Sequence, residues 1–276
     1  MESILELSED GKTIIGVKDK NVTLITIPKS ITSIGDSAFS GCSSLQSIDI
    51  PNSVTTIGNG AFSDCSSLQS INITKGNKHY ESIDGILFSK DLTCILKLPE
   101  GKKLEEYTIP NSVTTIGKGA FDRCSSLQSI DIPNSVTTIG NLAFRGCSSL
   151  QSIDIPNSVT TIGYDAFFGC SSLQSIDIPN SVTTIGNWAF SGCSSLQSID
   201  IPNSVTTIGN GAFYDCSSLQ SIHLHWTNLL DIKISDTALR YCTEDYTLYI
   251  PPGTRWEYRH HSIWGNFKNI EIEKQE

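Results

Sequence analysis

The chain has 276 residues, a formal net charge of −10 and 38% hydrophobic residues. The acidic balance argues against nucleic acid as a partner, because phosphate binding needs a surface rich in Lys and Arg. No segment is apolar enough to predict membrane insertion. The residues after Met1 show no basic segment followed by an apolar run, so no signal peptide is visible in this chain.

A 23-residue repeat fills most of the chain and predicts its architecture. The repeated pattern is Ile-Pro-Asn-Ser-Val-Thr-Thr-Ile-Gly-x-x-Ala-Phe-x-x-Cys-Ser-Ser-Leu-Gln-Ser-Ile-Asp. Repeats of this length indicate solenoids or arrays. Because one unit is too small to bury its own apolar side chains, neighbouring units must stack to form a core. We therefore predict a repeat solenoid, a curved leucine-rich repeat of short parallel strands with short helical turns.

The departures from the repeat divide the chain into segments of one continuous solenoid domain. Residues 73–108 interrupt the array and resemble the N-terminal segment, with alternating apolar residues on both sides of a short turn, which is typical of a β-hairpin. The predicted segments are a β-hairpin cap (1–26), two regular repeats (27–72), an enlarged variant repeat with a hairpin (73–108), five regular repeats (109–223), a degenerate repeat with Cys242 (224–249) and a helical C-terminal cap (250–276).

Within one repeat the spacing predicts three short pieces. Leu45, Ile48 and Ile50 alternate with polar residues as in a strand, and Pro51 ends it by removing a backbone donor. After a second extended piece, the Ala-Phe-x-x-Cys spacing predicts one helical turn. The core then uses every apolar position, so we expect no repeat to have apolar residues left over for a cofactor pocket.

The cysteines are predicted to be structural. Seven of the nine hold the same place in the repeat, and no zinc-type spacing is present. Free cysteine is among the most buried residue types, so we expect a buried column, one side chain per coil. A ladder of disulfides, a redox role and metal binding are less favoured alternatives. The column is Cys42, Cys65, Cys124, Cys147, Cys170, Cys193 and Cys216.

The repeated letters resemble a known family. The pattern LxxIxIPxxVxxIGxxAFxxC is similar to the BspA-type (Treponema-type) leucine-rich repeat, and the tail around Ile250-Pro251 and Trp264-x-x-Phe267 is similar to C-terminal caps of such proteins in Bacteroidetes. This resemblance implies a bacterial cell-surface or secreted protein that binds host matrix proteins or other cells. The family supplies no catalytic residues to this chain.

Nothing in the sequence predicts catalysis or a cofactor. We find no nucleophile with a base, no phosphate-binding glycine loop and no zinc-protease motif. His223 and His225 share one strand face, but two ligands without a third are weak evidence for metal. We therefore predict that the protein is not an enzyme and has no cofactor and no metal site.

An acidic ladder is predicted on the strand side. Asp131, Asp154, Asp177 and Asp200 occupy the outward position before Ile-Pro in successive repeats. Carboxylates stacked about 5 Å apart repel one another and tolerate this only on a wet face. The ladder is either a solubilising face or a shallow groove for a basic partner or divalent cations.

The residues that differ between repeats are the candidates for binding. Variation is concentrated at the two positions between Gly and Ala and the two between Phe and Cys, which we expect to face solvent. Large apolar residues and an arginine appear there in successive coils, a composition typical of binding hot spots. The alternatives are ordinary surface residues or drift after duplication. We name as the turn-side patch Leu142, Arg145, Tyr164, Phe168, Trp188 and Tyr214.

These observations favour a non-enzymatic module that binds one or more proteins, with adhesion to host matrix or cell-surface proteins as the role that the resemblance implies. Two other functions stay open. One is a carbohydrate-binding surface protein that stacks sugar rings on the same aromatic side chains. The other is a structural repeat array without a soluble ligand.

Overall fold

The computed structural model describes residues 4–240 and 246–274 as a β-solenoid of about 11 turns. The predicted repeat solenoid is confirmed. The strands are β1 (Leu5–Leu7), β2 (Thr13–Val17), β3 (Leu24–Thr26), β4 (Ser33–Ile34), β5 (Ser47–Ile50), β6 (Thr56–Ile57), β7 (Ser70–Ile73), β8 (Tyr80–Ile83), β9 (Ile86–Ser89), β10 (Cys94–Lys97), β11 (Glu106–Thr108), β12 (Thr115–Ile116), β13 (Ser129–Asp131), β14 (Thr138–Ile139), β15 (Thr161–Ile162), β16 (Thr184–Ile185), β17 (Ser198–Ile201), β18 (Thr207–Ile208), β19 (Ser221–Leu224), β20 (Lys233–Ile234), β21 (Thr247–Ile250) and β22 (Asn269–Ile272).

Two parallel ladders run along the solenoid, and each regular coil contributes to both. The Ser-Ile-Asp ladder contains the sheets β3-β5-β7, β11-β13 and β17-β19-β21-β22. The Thr-Ile ladder contains the sheets β1-β2-β4-β6 and β20-β18-β16-β15-β14-β12-β10-β9-β8. Equivalent residues pair in register, as Ile162 pairs with Ile185. The N-terminal hairpin, antiparallel β1 and β2, joins the second ladder through β4.

The third side of each coil, the turn side, carries the Gly-x-x-Ala-Phe-x-x-Cys segment, and here the prediction of a helical turn is wrong. The backbone N–H of Ser40 bonds the Ser37 carbonyl, but the N–H of Phe39 donates to Ala61 in the next coil, both at 2.9 Å. A helix would keep these donors within its own coil. Ser37 and Gly41 have positive φ angles of 55° and 78°, and this conformation turns alternate donors outward to the neighbouring coil.

The core is a column of aromatic rings beside a column of thiols. Phe144, Phe167 and Phe190 stack with ring centroids 5.3 Å apart at each step. The thiol of Cys170 donates to the Phe144 carbonyl at 3.1 Å, and the same bond recurs in most coils. The seven cysteines of the column are free and buried, as predicted. Burial raises the pKa of Cys170 well above its usual range. Cys242 lies outside the described residues.

The insert 73–108 separates two hydrophobic cores. Leu87 on β9 packs in the N-terminal core, while its neighbours Ile86 and Phe88 pack in the C-terminal core. Successive side chains of a strand point to opposite faces, so β9 lies between the two cores and packs against both. The Thr-Ile ladder is divided at the same level, because β6 and β12 belong to different sheets.

The C-terminal segment is less helical than expected. One helix, α1 (Arg255–His260), and a single 3-10 turn (Trp264–Asn266) precede β22, which pairs in parallel with β21. The tail therefore completes another coil and ends in a strand. Tyr258 and Trp264 are buried, and the Tyr258 hydroxyl donates to the Trp226 carbonyl at 3.1 Å. Among the described residues, no helix has the length and apolarity needed to cross a membrane.

Candidate binding surface

Two of the four variable positions in each regular coil hold the backbone in the left-handed region. The second residue after the Ile-Gly is glycine in three of the coils, at Gly60, Gly119 and Gly211, with φ near 60°. Leu142 and Trp188 hold the same position with φ of 61° and 57°. A residue with a Cβ pays about 1–2 kcal/mol for this conformation. The two bulky residues are therefore retained against a local cost, which marks them as candidates for function.

The expectation that all variable positions face solvent is wrong. Asp122, Asp165 and Ser191 are buried. Burial raises the pKa of the Asp165 carboxyl, and the neighbouring Asp165 charge raises the pKa of Tyr164. The turn side thus has a buried polar layer beneath its exposed side chains.

The structure divides the aromatic residues of the turn-side patch into two pairs. Tyr164 is 44% exposed and Phe168 is 40% exposed, on one coil. Trp188 and Tyr214 meet edge to face, with ring centroids 5.3 Å apart, and both are half-buried. The Trp188 ring also covers the Cα of Gly211, where an added Cβ would lie 2.4 Å from the ring. Tyr164 and Phe168 are therefore the most exposed aromatic side chains of the turn-side patch.

Arg145 and Leu142 lie at the other end of the patch. The Arg145 guanidinium donates two hydrogen bonds to the Asp122 carboxylate, at 2.8 and 2.7 Å. These bonds raise the pKa of Arg145, and they hold its side chain over the turn side of the preceding coil. An open depression of about 680 Å³ is lined by Arg145 together with Phe168, Asp64 and Arg123.

A buried charge network that includes two residues of the insert was not predicted from the sequence. The side chains of Lys97 and Glu100 are only 9% and 3% exposed, with 3.4 Å between Nζ and Oε1. The Glu100 carboxylate also accepts the backbone N–H of Asp64 at 2.9 Å, and Lys97 donates to the Asp122 carbonyl at 3.1 Å. Burial raises the pKa of Glu100.

One signal for this network was present in the repeat. Asp122 and Arg145 hold the first position after Ala-Phe in adjacent coils, where Ser40, Ser63 and Ser191 stand in others. Opposite charges 23 residues apart in a stacked array indicate an ion pair between coils. Lys97 and Glu100 gave no such signal, because the insert has no equivalent coil with which to compare them.

The acidic ladder lies on the Ser-Ile-Asp side of the solenoid, whereas the patch lies on the turn side. Asp154, Asp177 and Asp200 pair in register through single parallel bridges, and all three are exposed. His225 continues toward this edge and approaches Asp200, with 2.6 Å between Nε2 and Oδ1. Within residues 4–240 and 246–274, no group of His, Cys, Asp and Glu has an arrangement that could hold a metal ion.

Several solved structures of bacterial leucine-rich repeat proteins are similar to this chain. A leucine-rich cell surface protein of Faecalibacterium prausnitzii A2-165 is 37% identical over 78% of this chain, with a TM-score of 0.71, and this chain spans 57% of that one. A leucine-rich repeat protein of Eubacterium ventriosum ATCC 27560 is 25% identical, with a TM-score of 0.67 and coverage of 93% and 73% of the two chains. One of Bacteroides ovatus ATCC 8483 is 27% identical, with a TM-score of 0.59 and coverage of 97% and 74%.

The family comparison gives a direct assignment. No curated protein matches the chain in sequence. The model of the BspA type leucine rich repeat region matches residues 17–101, 97–220 and 143–255, with six copies of the repeat. These matches include all the regular coils and the insert. The chain therefore belongs to the BspA-type leucine-rich repeat family.

Proposed function

We propose that this chain is a non-enzymatic, adhesin-like module that binds host matrix or cell-surface proteins through the turn-side patch. The observation that carries the proposal is the exposure of two large aromatic rings, Tyr164 and Phe168, on one coil of a rigid stack. Aromatic anchors lose little side-chain freedom on binding, and they dominate the energetics of protein interfaces. Trp188, Tyr214, Leu142 and Arg145 extend the contact surface to both sides.

The residues at the same positions in other coils show which side chains the fold itself favours there. Asn141 and Asn187 stand in the column of Tyr164, and each accepts the backbone N–H of the next coil, at 3.0 and 2.8 Å. Tyr164 has no side-chain oxygen placed like that of asparagine, so it forgoes this bond. Serine stands in the column of Phe168 in three coils. The patch thus departs from the structural preference of the repeat at several positions, which supports a binding role.

A place at the bacterial surface, or secretion, fits both the family and the structural neighbours. The Faecalibacterium structure is described as a cell surface protein. Solenoids of this kind present long open faces, and such faces suit a protein partner better than a small substrate. We extend the same location to this chain as part of the proposal.

The test replaces the two exposed rings with the residues of the other coils. Tyr164→Asn with Phe168→Ser should keep the fold and lose at least tenfold in affinity for the partner, measured by biolayer interferometry against purified host matrix proteins. Leu24→Ser with Ile15→Ser removes exposed apolar side chains of the N-terminal segment and serves as the matched control. Equal affinities for the two double variants would refute the role of the patch.

Carbohydrate is the second candidate ligand, because exposed tyrosine and phenylalanine rings also stack on the apolar faces of sugars. A glycan array run beside the matrix-protein panel separates the two functions. Binding to glycans that Tyr164→Asn with Phe168→Ser abolishes, with no binding to deglycosylated matrix proteins, would favour a carbohydrate-binding surface protein.

A further inference from the structure

A cavity of about 210 Å³ lies on the turn side where the insert interrupts the stack. In the regular array each phenylalanine ring is covered by the ring of the next coil, as Phe167 is by Phe190. Phe62 stacks on Phe39 at 5.6 Å and also lines the cavity. The insert therefore opens a space that regular coils would close, and the expectation that no apolar side chains are left for a pocket fails at this one level.

The walls of the cavity are mainly apolar. Ile57 and Phe62 come from the coil below, Leu87 and Leu96 from the insert, and Leu142 from the coils above. An apolar cavity of about 150 Å³ is large enough to bind benzene. The space here accommodates an aromatic ring or a branched aliphatic group with a short chain attached.

The polar groups at the cavity favour an anion. Three cations, Lys97, Lys118 and Arg145, line it with Asp122 as the one acid. Asp122 holds Arg145, and Glu100 pairs with Lys97, so these two cations are compensated. Within the described part of the chain, no ion pair involves the exposed Lys118.

A hydrogen-bond donor lines the same cavity as Lys118. The Tyr80 hydroxyl lines the cavity and accepts the backbone N–H of Ile57 at 2.9 Å, which leaves its own hydrogen to donate. The Tyr80 hydroxyl and the Lys118 ammonium are thus the two donors that the cavity offers to an anionic oxygen group. The local excess of positive charge is notable in a chain whose net charge is −10.

We propose that this cavity binds a small amphipathic carboxylate, with its aromatic or branched aliphatic body against Phe62, Leu87 and Leu142. The carboxylate accepts a hydrogen bond from the Tyr80 hydroxyl and pairs with Lys118. This site goes beyond the protein-binding role and does not rest on it, because Tyr164 and Phe168 do not line the cavity.

The experiment uses the full chain with 13C-labelled leucine methyl groups and 4-phenylbutyrate as the probe. Titration should shift the methyl resonances of Leu87, Leu96 and Leu142 and leave those of the distant, exposed Leu24 and Leu230 unchanged. The matched ligand is 4-phenylbutanamide, which has the same shape without the charge. We expect the amide to bind at least threefold more weakly. Equal or tighter binding of the amide, or no shift of the three cavity leucines, would overturn the proposal.

Variants of the cavity and a variant of the exposed Tyr164 and Phe168 rings test the two proposals separately. Leu142→Trp fills the mouth of the cavity and should abolish the shifts at Leu87 and Leu96. Circular dichroism checks its folding, because the next coil carries Asp165 beside Leu142, where it carries Gly211 beside Trp188. Lys118→Gln should weaken carboxylate binding by about two- to fivefold, as for an exposed ion pair, and leave amide binding unchanged. Tyr164→Asn with Phe168→Ser should bind the carboxylate like the unmodified chain, so failure of one proposal leaves the other standing.

Discussion

Replacing Lys97 with methionine tests whether the buried charge network is a real electrostatic unit. The substitution leaves the Glu100 carboxylate, only 3% exposed, with the Asp64 backbone N–H as the hydrogen-bond donor to it. Removing one partner of a buried pair costs about 3–5 kcal/mol, because the remaining charge stays desolvated. We expect Lys97→Met to lower the free energy of unfolding at neutral pH by this amount.

The insert also supplies a matched control. Lys90 and Glu81 form an ion pair whose side chains are 45% and 38% exposed. Pairs of this kind contribute about 0–1 kcal/mol because water screens them. Lys90→Met should therefore change the free energy of unfolding by less than about 1 kcal/mol. Both variants are measured by urea denaturation followed by circular dichroism.

The pH dependence of the folding stability tests the role of Glu100. Burial raises the pKa of Glu100 in the folded chain, so the folded state binds this proton more tightly than the unfolded state. Stability contributed by this group therefore increases as the pH falls through the raised folded pKa, and it decreases as the pH rises. Loss of Lys97 removes a charge that lowers this pKa, so Lys97→Met should regain part of its lost stability on acidification, relative to the unmodified chain.

Neutralising the orphaned acid should give the same recovery at neutral pH. Lys97→Met with Glu100→Gln is expected to be more stable than Lys97→Met alone. A loss below about 1 kcal/mol in Lys97→Met, or a loss that acid and Glu100→Gln both leave unchanged, would refute the view that this network is a desolvated charge unit.

Three further outcomes follow from the columns of the core and the turn side. Phe167→Ala should lower the free energy of unfolding by about 3–5 kcal/mol. Phe62→Ala should lower it by about 1 kcal/mol less, because Phe62 has a ring stacked on one face and the cavity beside it. Urea denaturation of the two variants measures the difference. Tyr164→Asn should raise stability by about 0.5–1.5 kcal/mol by restoring the bond between coils, seen as a higher urea midpoint. In a Cys94→Ser, Cys242→Ser chain, the buried column should not react with a thiol reagent until the chain unfolds, and fast native reaction would contradict its burial.

The regular coils were predictable because the same constraint acts in each of them. A residue repeated every 23 positions contacts the equivalent residues of the two neighbouring coils. A prediction that Ile48 or Cys170 is buried therefore applies to its whole column. The helical turn was predicted wrongly from the spacing of Phe and Cys. That spacing does not show where the backbone N–H groups donate, and here alternate groups donate to the next coil.

The insert was predictable only as an interruption. Its alternating residues indicated strands, and β8, β9 and β10 are present. The two-sided packing of β9 depends on cores supplied by other coils, so no local pattern could reveal it. The insert does not match the shape of its regular neighbours. This difference produces both the Lys97–Glu100 pair and the cavity beside Phe62.

An array of identical coils repeats its chemistry along its length, so a single site needs a place where the repetition fails. The insert is such a place, and it buries the Lys97–Glu100 ion pair, which has no counterpart in the regular coils. The Asp122–Arg145 pair joins this break to the turn-side patch, since Asp122 lines the cavity and Arg145 lines both the cavity and the depression next to Phe168. The strained Leu142 borders the same cavity. The features that cost stability are thus contiguous along the turn side, and we expect recognition to be concentrated there.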